Sequence, residues 1–432
     1  MNRFSSLPSI LVHTPTMTPR VNAALQWALD AVLGLSWTLE ADHEAFVSSA
    51  LPWKFQYGGT PVEGIHYVRP EGLLESTDLR PDPPDGDGEE RDVLALIFWM
   101  GSRMEESCAT ASRDAHGRFD PTGSIPMERG WLATPVCEHW AFELGAAILG
   151  PLWPEHVARL KAEYAVEPTL DIDSAFAFLG KGWWRTGGAM GRDLLRGHWV
   201  HVLRRVRVCR GAAQDPYDTY AQVQAWHTAH GLTAKWFFLL ARFGAHDKGL
   251  PSKSSRLQAL MRDLEEGCPG SVQWHPGYAA AADAEAMGAE FEAFKEIMDR
   301  PPAASRQHYL RMVPGQTRRQ LMALGIRDDH TEGHAAVIGF RGGFSRSRPW
   351  YDLEKEALTD LVLHPFSAMD ATLCRYMKVG PDAVPGHMQS LSDAVREVGG
   401  TLRLLWHNES LSSEGEWAGW EQVYPNVLQV VC

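Results

Sequence analysis

The chain has 432 residues, and its 41 Lys and Arg against 54 Asp and Glu give a formal net charge of −13. This acidic balance argues against a protein that binds nucleic acid through a general positive surface. Hydrophobic residues make up 44% and charged residues 22%. These fractions are typical of a globular protein of about two to three domains and exclude a disordered or collagen-like chain.

Two further features concern the cellular environment. No window approaches the run of about 18 apolar residues that a transmembrane helix needs, and residues 1–8 lack the apolar region of a secretory signal. The cysteines are too scattered for a disulfide framework or a cysteine zinc site, since they lie at Cys108, Cys137, Cys209, Cys268, Cys374 and Cys432. We therefore expect a cytoplasmic protein with reduced cysteines and no transmembrane segment.

The first part of the chain has α/β character. An apolar run at residues 9–13 predicts a strand, and the helical spacing over 19–35 predicts a helix after it. The Pro-rich and acidic stretch 79–91 predicts an exposed loop, whereas helices are expected at 92–104 and 134–148. We predict an N-terminal α/β domain of residues 1–160, without a role that the sequence identifies.

The second part alternates apolar strands with helices. Seven strands are predicted, at 169–172, 233–240, 271–274, 305–310, 325–328, 360–363 and 401–406. Seven strands separated by helices favour a closed or nearly closed (β/α) barrel over residues 161–432. In such a barrel the active site lies at the C-terminal ends of the strands.

The first predicted barrel strand ends in two carboxylates, Asp171 and Asp173. Residues i and i+2 of a strand point to the same face, so these like charges project together and favour a cation. An isolated pair of this kind also ends many strands and caps the next helix. Histidines lie at the ends of other strands, however, at His275, His308, His330, His364 and His407. One such histidine is more often a core residue, but the whole set facing an Asp pair indicates a metal site.

This constellation resembles the polysaccharide deacetylases, the NodB-homology group of metal-dependent carbohydrate esterases, whose fold is a distorted (β/α)7 barrel. The Asp-x-Asp motif of that family implies that Asp171 is the general base and Asp173 a metal ligand. The family's second motif, H-[ST]-x-x-H, supplies two ligands. Here only its first histidine is present, as His275, and Ala279 stands in the second position.

Two more family motifs are matched in part. R-x-P-[FY] corresponds to Arg306 and Tyr309, with His308 in the place of the proline, and we hypothesise that His308 replaces the missing ligand. The resemblance implies that Arg306 orients Asp171 through a bidentate contact; the alternative is an Arg in a surface ion pair. The final motif, an apolar strand ending in a histidine, makes His407 the general acid. Asp328 or Asp329 stands where a supporting acid of the family is expected.

The whole chain resembles a subgroup of polysaccharide deacetylase-like bacterial proteins that carry an uncharacterised α/β domain before the barrel. The segments that carry this resemblance are 96–106, 114–119, 215–220, 305–309 and 406–408. The subgroup already departs from well-studied deacetylases in its second motif.

The resemblance implies a metal-dependent hydrolase that removes N-acetyl groups from amino sugars of a cell-surface polysaccharide or its precursor. Asp173, His275 and His308 would hold the metal, and zinc suits such nitrogen and oxygen ligands, although cobalt, nickel or iron also fit. Two alternatives stay open. One is an inactive glycan-binding protein, because Ala279 replaces a ligand, and the other is an O-acetyl esterase.

Several residues are predicted to contact substrate, namely Tyr309, Arg341, His364 and Trp406. A basic insertion at about 180–212, which contains Trp183, Trp184 and Trp199, is a candidate lid for an anionic glycan or lipid phosphate, or a contact with a membrane surface. A solvated basic helix paired with the chain's own acids explains it equally well. The sequence predicts neither the sugar nor the oligomeric state.

Overall fold

The computed structural model describes residues 9–85, 91–412 and 414–432. Contacts divide the chain into two compact units. The first contains residues up to 165 together with 332–367 and 391–402, and the second contains 166–331, 368–390 and 403–432. This grouping is more interleaved than the predicted layout of one domain after the other. Residues 1–8 and the 86–90 part of the predicted loop lie outside the described residues.

A four-stranded parallel sheet forms the centre of the first unit. Its strands are β1 (Ile10–His13), β2 (Trp37–Glu40), β3 (Lys54–Tyr57) and β4 (His66–Val68), in the order β2-β1-β3-β4. Every residue of β1 is buried, as expected for an apolar central strand covered on both faces. The predicted strand at residues 9–13 is thereby confirmed.

Helices pack around this sheet. The first of them are α1 (Pro19–Leu25), which continues as a π-helix over Gln26–Val32, α2 (His43–Ser48), α3 (Val93–Ser102), α4 (Met104–Ser107), α5 (Ile125–Glu128), α6 (Val136–Leu149) and α7 (Trp153–Lys161). All residues of α3 are buried, and its bounds confirm the helix predicted at 92–104. The Asp92 carboxylate caps α3 by accepting the Ala95 amide at 3.0 Å.

The second unit carries parallel strands that continue from the end of the first. They are β5 (Ala165–Ile172), β6 (Lys235–Leu239), β7 (Val272–His275), β8 (Ala304–Ser305) and β9 (Asp328–Asp329), and each pairs in parallel with the next. Two further strands, β12 (Ala368–Met369) and β13 (Thr401–His407), lie on the other side of β5. They pair in parallel, and β13 is the one next to β5. The order in this unit is β9-β8-β7-β6-β5-β13-β12.

The α/β class is confirmed, and the barrel, which was expected to be closed or nearly closed, is not closed. Among the described residues of the second unit, β9 and β12 stand at opposite ends of the strand order and do not pair with each other. The physical reason is that β8, β9 and β12 have only two residues each, so few ladder hydrogen bonds are available to close the sheet.

The remaining helices lie between these strands. They are α8 (Gly182–Leu195), α9 (Trp199–Cys209), α10 (Tyr220–Ala229), α11 (Ser255–Gly267), α12 (Ala284–Met298), α13 (Gln316–Ala323), α14 (Val384–Val398) and α15 (Val423–Val431). In the described chain, no helix combines the length and the apolar character that crossing a lipid bilayer requires.

The sixth predicted strand is present. Residues 360–363 belong to β11 (Ala357–Leu363), which pairs antiparallel with β10 (Arg348–Asp352) within the first unit. The short strand β12, which lies beside β13, was not predicted. A two-residue strand has no periodicity to reveal it.

Candidate active site

The three predicted metal ligands meet at the C-terminal ends of parallel strands of one sheet. Asp173 follows β5, His275 ends β7, and His308 begins a 3₁₀ turn after β8. One ligand atom from each residue lies within 4.8 Å of the others. His275 and His308 are buried, whereas Asp173 keeps 24% of its side chain exposed, so the site has an open side.

The first histidine, His275, is fixed in one orientation. Its Nδ1 lies 2.6 Å from the backbone oxygen of Arg306, which can only accept a hydrogen bond, so Nδ1 carries the proton. Its Nε2 therefore presents a lone pair, 3.3 Å from Asp173 Oδ1 and 3.7 Å from Asp171 Oδ2. Within the described residues, neither this Nε2 nor Asp173 Oδ1 has a hydrogen-bond partner.

The second histidine, His308, is held between two carboxylates. Its Nδ1 lies 2.8 Å from Asp247 Oδ1, and its Nε2 lies 3.2 Å from Asp173 Oδ2. Asp247 is fixed in turn because it accepts the Tyr278 amide at 3.0 Å. A carboxylate behind the far nitrogen of a histidine is the usual support of a metal-ligating imidazole. Sequence reasoning did not find Asp247, which lies in the loop after β6 with no motif around it.

These residues fit a bound divalent metal. Two buried polar atoms without partners face each other, and the donor set of two imidazoles and a carboxylate is one that zinc and its neighbours prefer. Burial opposes ionisation of Asp173, but the imidazoles of His308 and His275 outweigh it and hold its pKa well below the ordinary value. Burial likewise lowers the pKa of His308, yet Asp173 and Asp247 overcome this and raise it to about 10. The cluster thus concentrates negative charge that a cation would neutralise.

The predicted general base, Asp171, is held by Arg306. Arg306 Nη1 donates to Asp171 Oδ1 at 2.8 Å, and its Nη2 donates to Thr169 Oγ1 at 2.7 Å. Arg306 thus links Asp171 through Nη1 and Thr169 through Nη2. Arg306 is fully buried, and its Nε donates to the His330 carbonyl at 2.9 Å. These bonds leave Asp171 Oδ2 facing the metal-ligand cluster.

The predicted general acid, His407, ends β13 and is oriented by Asp370. Asp370 Oδ1 accepts from His407 Nδ1 at 2.7 Å, and Oδ2 accepts the His407 backbone amide at 2.8 Å. His407 Nε2 points toward the cluster, 3.9 Å from Asp173 Oδ2. Burial lowers the pKa of His407, but Asp370 and Asp173 outweigh it and raise the pKa to about 10. Asp370 was not predicted, because it follows the two-residue strand β12.

Tyr309 borders the cluster from the side of His308. Their ring centroids are 4.7 Å apart, and the rings of Tyr278 and His246 lie 5.4 and 5.3 Å from the Tyr309 ring. Tyr309 has a positive φ of 61°, an unusual conformation for an aromatic residue. It remains a candidate substrate contact.

The other predicted substrate contacts have partners of their own. Trp406 is only 1% exposed and packs against Tyr424 at 5.2 Å between centroids, so it cannot stack on a sugar. Arg341 belongs to the first unit, where it forms a two-pronged ion pair with Glu106 at 3.0 and 2.6 Å. His364 also belongs to that unit and hydrogen-bonds Ser347.

The predicted supporting acid has another partner. Asp329 is fully buried and accepts from Arg318 Nε at 2.8 Å. It therefore supports the packing of α13 on β9, and Asp370 takes the supporting position beside His407.

Comparison with known proteins gives partial similarities. A family described as being of unknown function, DUF7033, matches residues 10–153. A tRNA dimethylallyltransferase of Chromobacterium violaceum is 30% identical over 149 residues, which cover 34% of this chain and 42% of that protein. The chain therefore spans less than half the length of this curated relative.

Solved structures are similar to this chain at low identity. A protein described as a polysaccharide deacetylase of Mycobacterium smegmatis is 14% identical, with a TM-score of 0.39 and coverage of 62% of this chain and 85% of that one. A second protein so described, from Pseudomonas aeruginosa PAO1, is 12% identical, with a TM-score of 0.37 and coverage of 65% and 86%. The allantoinase Puue is 12% identical, with a TM-score of 0.38 and coverage of 62% and 84%.

Proposed function

We propose that the chain is a metal-dependent hydrolase that removes N-acetyl groups from amino sugars of a cell-surface polysaccharide or its precursor. The observation that carries the hydrolase is the convergence of Asp173, His275 and His308, flanked by Asp171 and by His407. The substrate class comes from the resemblance of the motifs to those of polysaccharide deacetylases.

Asp173, His275 and His308 would hold the metal, most suitably zinc, with cobalt, nickel or iron as alternatives. A divalent metal bound there supplies a Lewis acid that polarises the amide carbonyl and makes water more acidic. Three protein ligands on one side leave coordination positions for substrate on the side where Asp173 is exposed.

Asp171 is placed to take a proton from the attacking water. Arg306 occupies its Oδ1, so the free Oδ2, which lies 3.7 Å from His275 Nε2, is the oxygen that faces the cluster. A hydrogen bond that fixes one oxygen of a carboxylate also orients the other oxygen. The free-energy cost of positioning the base for reaction is therefore lower.

His407 is placed to protonate the leaving amine. Its Nδ1 proton is engaged by Asp370, and its raised pKa keeps the second proton on Nε2 at neutral pH. Nε2 points toward Asp173. Base and acid thus approach the same cluster from β5 and from β13, which is the arrangement that amide hydrolysis needs.

The inactive glycan-binding alternative depended on Ala279, which replaces a family ligand. His308 weakens that objection, because its Nε2 lies 3.2 Å from Asp173 and its Nδ1 is supported by Asp247. An eroded site would not need a buried carboxylate to orient a histidine that binds nothing.

The test is elemental analysis of the purified protein before and after dialysis against a chelator, with zinc, cobalt, nickel and iron each added back. Each form is then assayed for acetate release from oligomers of N-acetylglucosamine. About one metal per chain together with metal-dependent acetate release supports the proposal. Absence of metal under every condition contradicts the hydrolase, and metal without acetate release contradicts the substrate class.

A further inference from the structure

The insertion after β5 folds into two helices, α8 and α9, whose outer surfaces are apolar. Half of the large apolar side chains that are exposed in the described chain lie here. The most exposed are Trp183 at 71%, Trp184 at 75%, Leu195 at 91%, Trp199 at 63%, Val200 at 75% and Leu203 at 64%. Exposing so much apolar surface in one short segment is unfavourable in water and marks an interaction site.

The exposed residues of α8 form one continuous stripe. Successive residues of a helix are about 100° apart, so positions separated by eleven lie within about 20° of each other. Trp183 and Trp184 are therefore in line with Leu194 and Leu195. Between them lie Gly187, Gly188 and Gly191, where an added Cβ would meet no atom within 4 Å. The stripe is open along its whole length.

The exposed face of α9 continues this surface. Trp199, Val200 and Leu203 share a face near the turn between the helices, whereas Val202 and Val208 are buried on the opposite face. Five of the seven exposed apolar residues thus lie where the two helices join, at 194–203, and the other two, Trp183 and Trp184, lie at the start of α8.

Positive charge borders the apolar stripe. Residues 181–210 contain eight Lys and Arg and a single carboxylate, Asp193, in a chain of net charge −13. Three of the cations are engaged: Arg185 with backbone oxygens, Arg204 with Glu414 and Arg205 with Asp193. Within the described residues, four others form no ion pair, namely Arg192, Arg196, Arg207 and Arg210. Arg192 and Arg196 lie at the edge of the α8 stripe.

The base of the insertion is firmly anchored. The Asp215 carboxylate accepts the backbone amides of Ala177, Phe178 and Leu179 at 2.7, 2.8 and 3.0 Å. The Arg205 guanidinium lies 4.6 Å from the centre of the Phe178 ring. These contacts hold the base of the insertion on the second unit, while its outer apolar side chains stay exposed.

We propose that the α8–α9 insertion docks on the anionic surface of a lipid bilayer and lies in the plane of the interface. Tryptophan with leucine on one face and arginine beside it is the pattern of an interfacial amphipathic helix. The unpaired arginines complement anionic headgroups, each adding to the attraction. A protein partner would need a shaped groove, whereas an open stripe lined by glycine is flat and suits a lipid surface.

Docking in this way would bring the candidate active site close to the membrane. Arg185 of α8 donates to the backbone oxygens of Gly249 and Lys248 at 3.0 and 2.9 Å. A Cβ at Gly249 would lie 3.3 Å from the backbone oxygen of Asp173, so α8 rests on the loop that packs against a metal ligand. The docking itself does not depend on the proposed hydrolysis, and metal-free protein should dock equally well.

The experiment is co-sedimentation of the full chain with vesicles of phosphatidylcholine alone or mixed with phosphatidylglycerol, at low and high salt. We expect binding to the mixed vesicles at least about tenfold tighter than to phosphatidylcholine, and weaker at high salt. Replacing Leu195 and Trp199 by Gln removes side chains that are exposed, so the fold is retained. This variant should lose at least about tenfold in affinity.

Matched controls distinguish this surface from nonspecific binding by exposed apolar side chains. Leu51→Gln and Leu79→Gln remove apolar side chains that are 43% and 44% exposed in the first unit, and these variants should bind as the parent does. Arg192→Gln with Arg196→Gln should remove part of the salt-sensitive binding, whereas Arg69→Gln should not. Failure of the parent to bind mixed vesicles would overturn the proposal. So would a dimer in analytical ultracentrifugation that the Leu195 and Trp199 replacements convert to a monomer, since the stripe would then be an interface between copies.

Discussion

His308 Nδ1 lies 2.8 Å from Asp247 Oδ1, and this hydrogen bond leaves the opposite nitrogen of the ring facing Asp173. His308 stands where the related family motif has a proline, and the pairing with Asp247 explains how a histidine at this position can serve as a ligand. The ligand and its support come from loops after different strands, β8 and β6.

Asp247→Asn should weaken metal binding by about 10–100-fold, because an amide cannot fix the His308 tautomer as a carboxylate does. His308→Ala should weaken binding further. Metal affinity is measured by competition with a chromophoric chelator. Asp263→Asn, on the exposed face of α11, is the control and should bind as the parent does. Unchanged affinity in His308→Ala would remove this residue from the ligand set.

Asp171→Asn and Asp173→Ala should distinguish the role of general base from the role of metal ligand. Asp171→Asn should keep the metal and lose about 100-fold or more in kcat, since a general base contributes about 10²–10⁴-fold. Asp173→Ala should lose both metal and turnover. Elemental analysis and acetate release on the same preparations check both. Retention of the metal by Asp173→Ala would show that the cluster is assigned wrongly.

Asp370→Asn should impair the general acid without removing the metal. Asp370 accepts two hydrogen bonds from His407 and is the main cause that raises its pKa to about 10. Without that charge His407 loses its proton at lower pH, so the alkaline limb of the kcat profile should move down by at least about one pH unit. A pH–rate profile on the metal-loaded variant measures this. An unmoved limb would indicate that another group donates the proton.

His227 should make the stability of the second unit depend on pH. Burial lowers its pKa to about 4, and its Nε2 lies 2.6 Å from the Tyr424 hydroxyl. Because the pKa of His227 in the folded state is below the unfolded value of about 6.5, the neutral, buried imidazole contributes fully to stability above pH 6.5. That contribution is lost as the pH falls toward 4. The loss is about 3 kcal/mol at pH 4, from about 1.4 kcal/mol per pKa unit.

Urea unfolding of the parent and of His227→Gln between pH 7 and pH 4 checks this expectation. The variant should show a smaller fall in unfolding free energy, whatever its stability at pH 7. His198→Gln, at an exposed position of the same unit, should retain the dependence of the parent. Parallel curves for the parent and His227→Gln would assign the acid sensitivity to other groups.

The sequence by itself located the residues that carry the proposed chemistry. Asp171, Asp173, His275 and His407 each stand at the end of a strong apolar strand, and parallel strands bring such ends to one edge of a sheet. Arg306 and His308 follow from the same argument together with the family motif. Local pattern is sufficient here because strand position and side-chain alternation are both visible in the sequence.

The sequence pattern did not identify the residues that orient the two histidines. Asp247 and Asp370 lie in loops without periodicity, and their roles depend on side chains distant in sequence, His308 and His407. For the same reason Trp406 was assigned to substrate, although its neighbours on β13 and α15 bury it. Burial of one residue by another distant in sequence is a tertiary property.

Composition and spacing determined the α/β class, most of the helices and the carboxylate and histidine donors of the site. Only the tertiary structure decided that segments 332–367 and 391–402 join the first unit, that the sheet of the second unit stays open, and that α8 and α9 expose one apolar stripe. The physical reason is that secondary structure follows from residues a few positions apart, whereas strand order, burial and hydrogen-bond support are fixed by packing between distant segments.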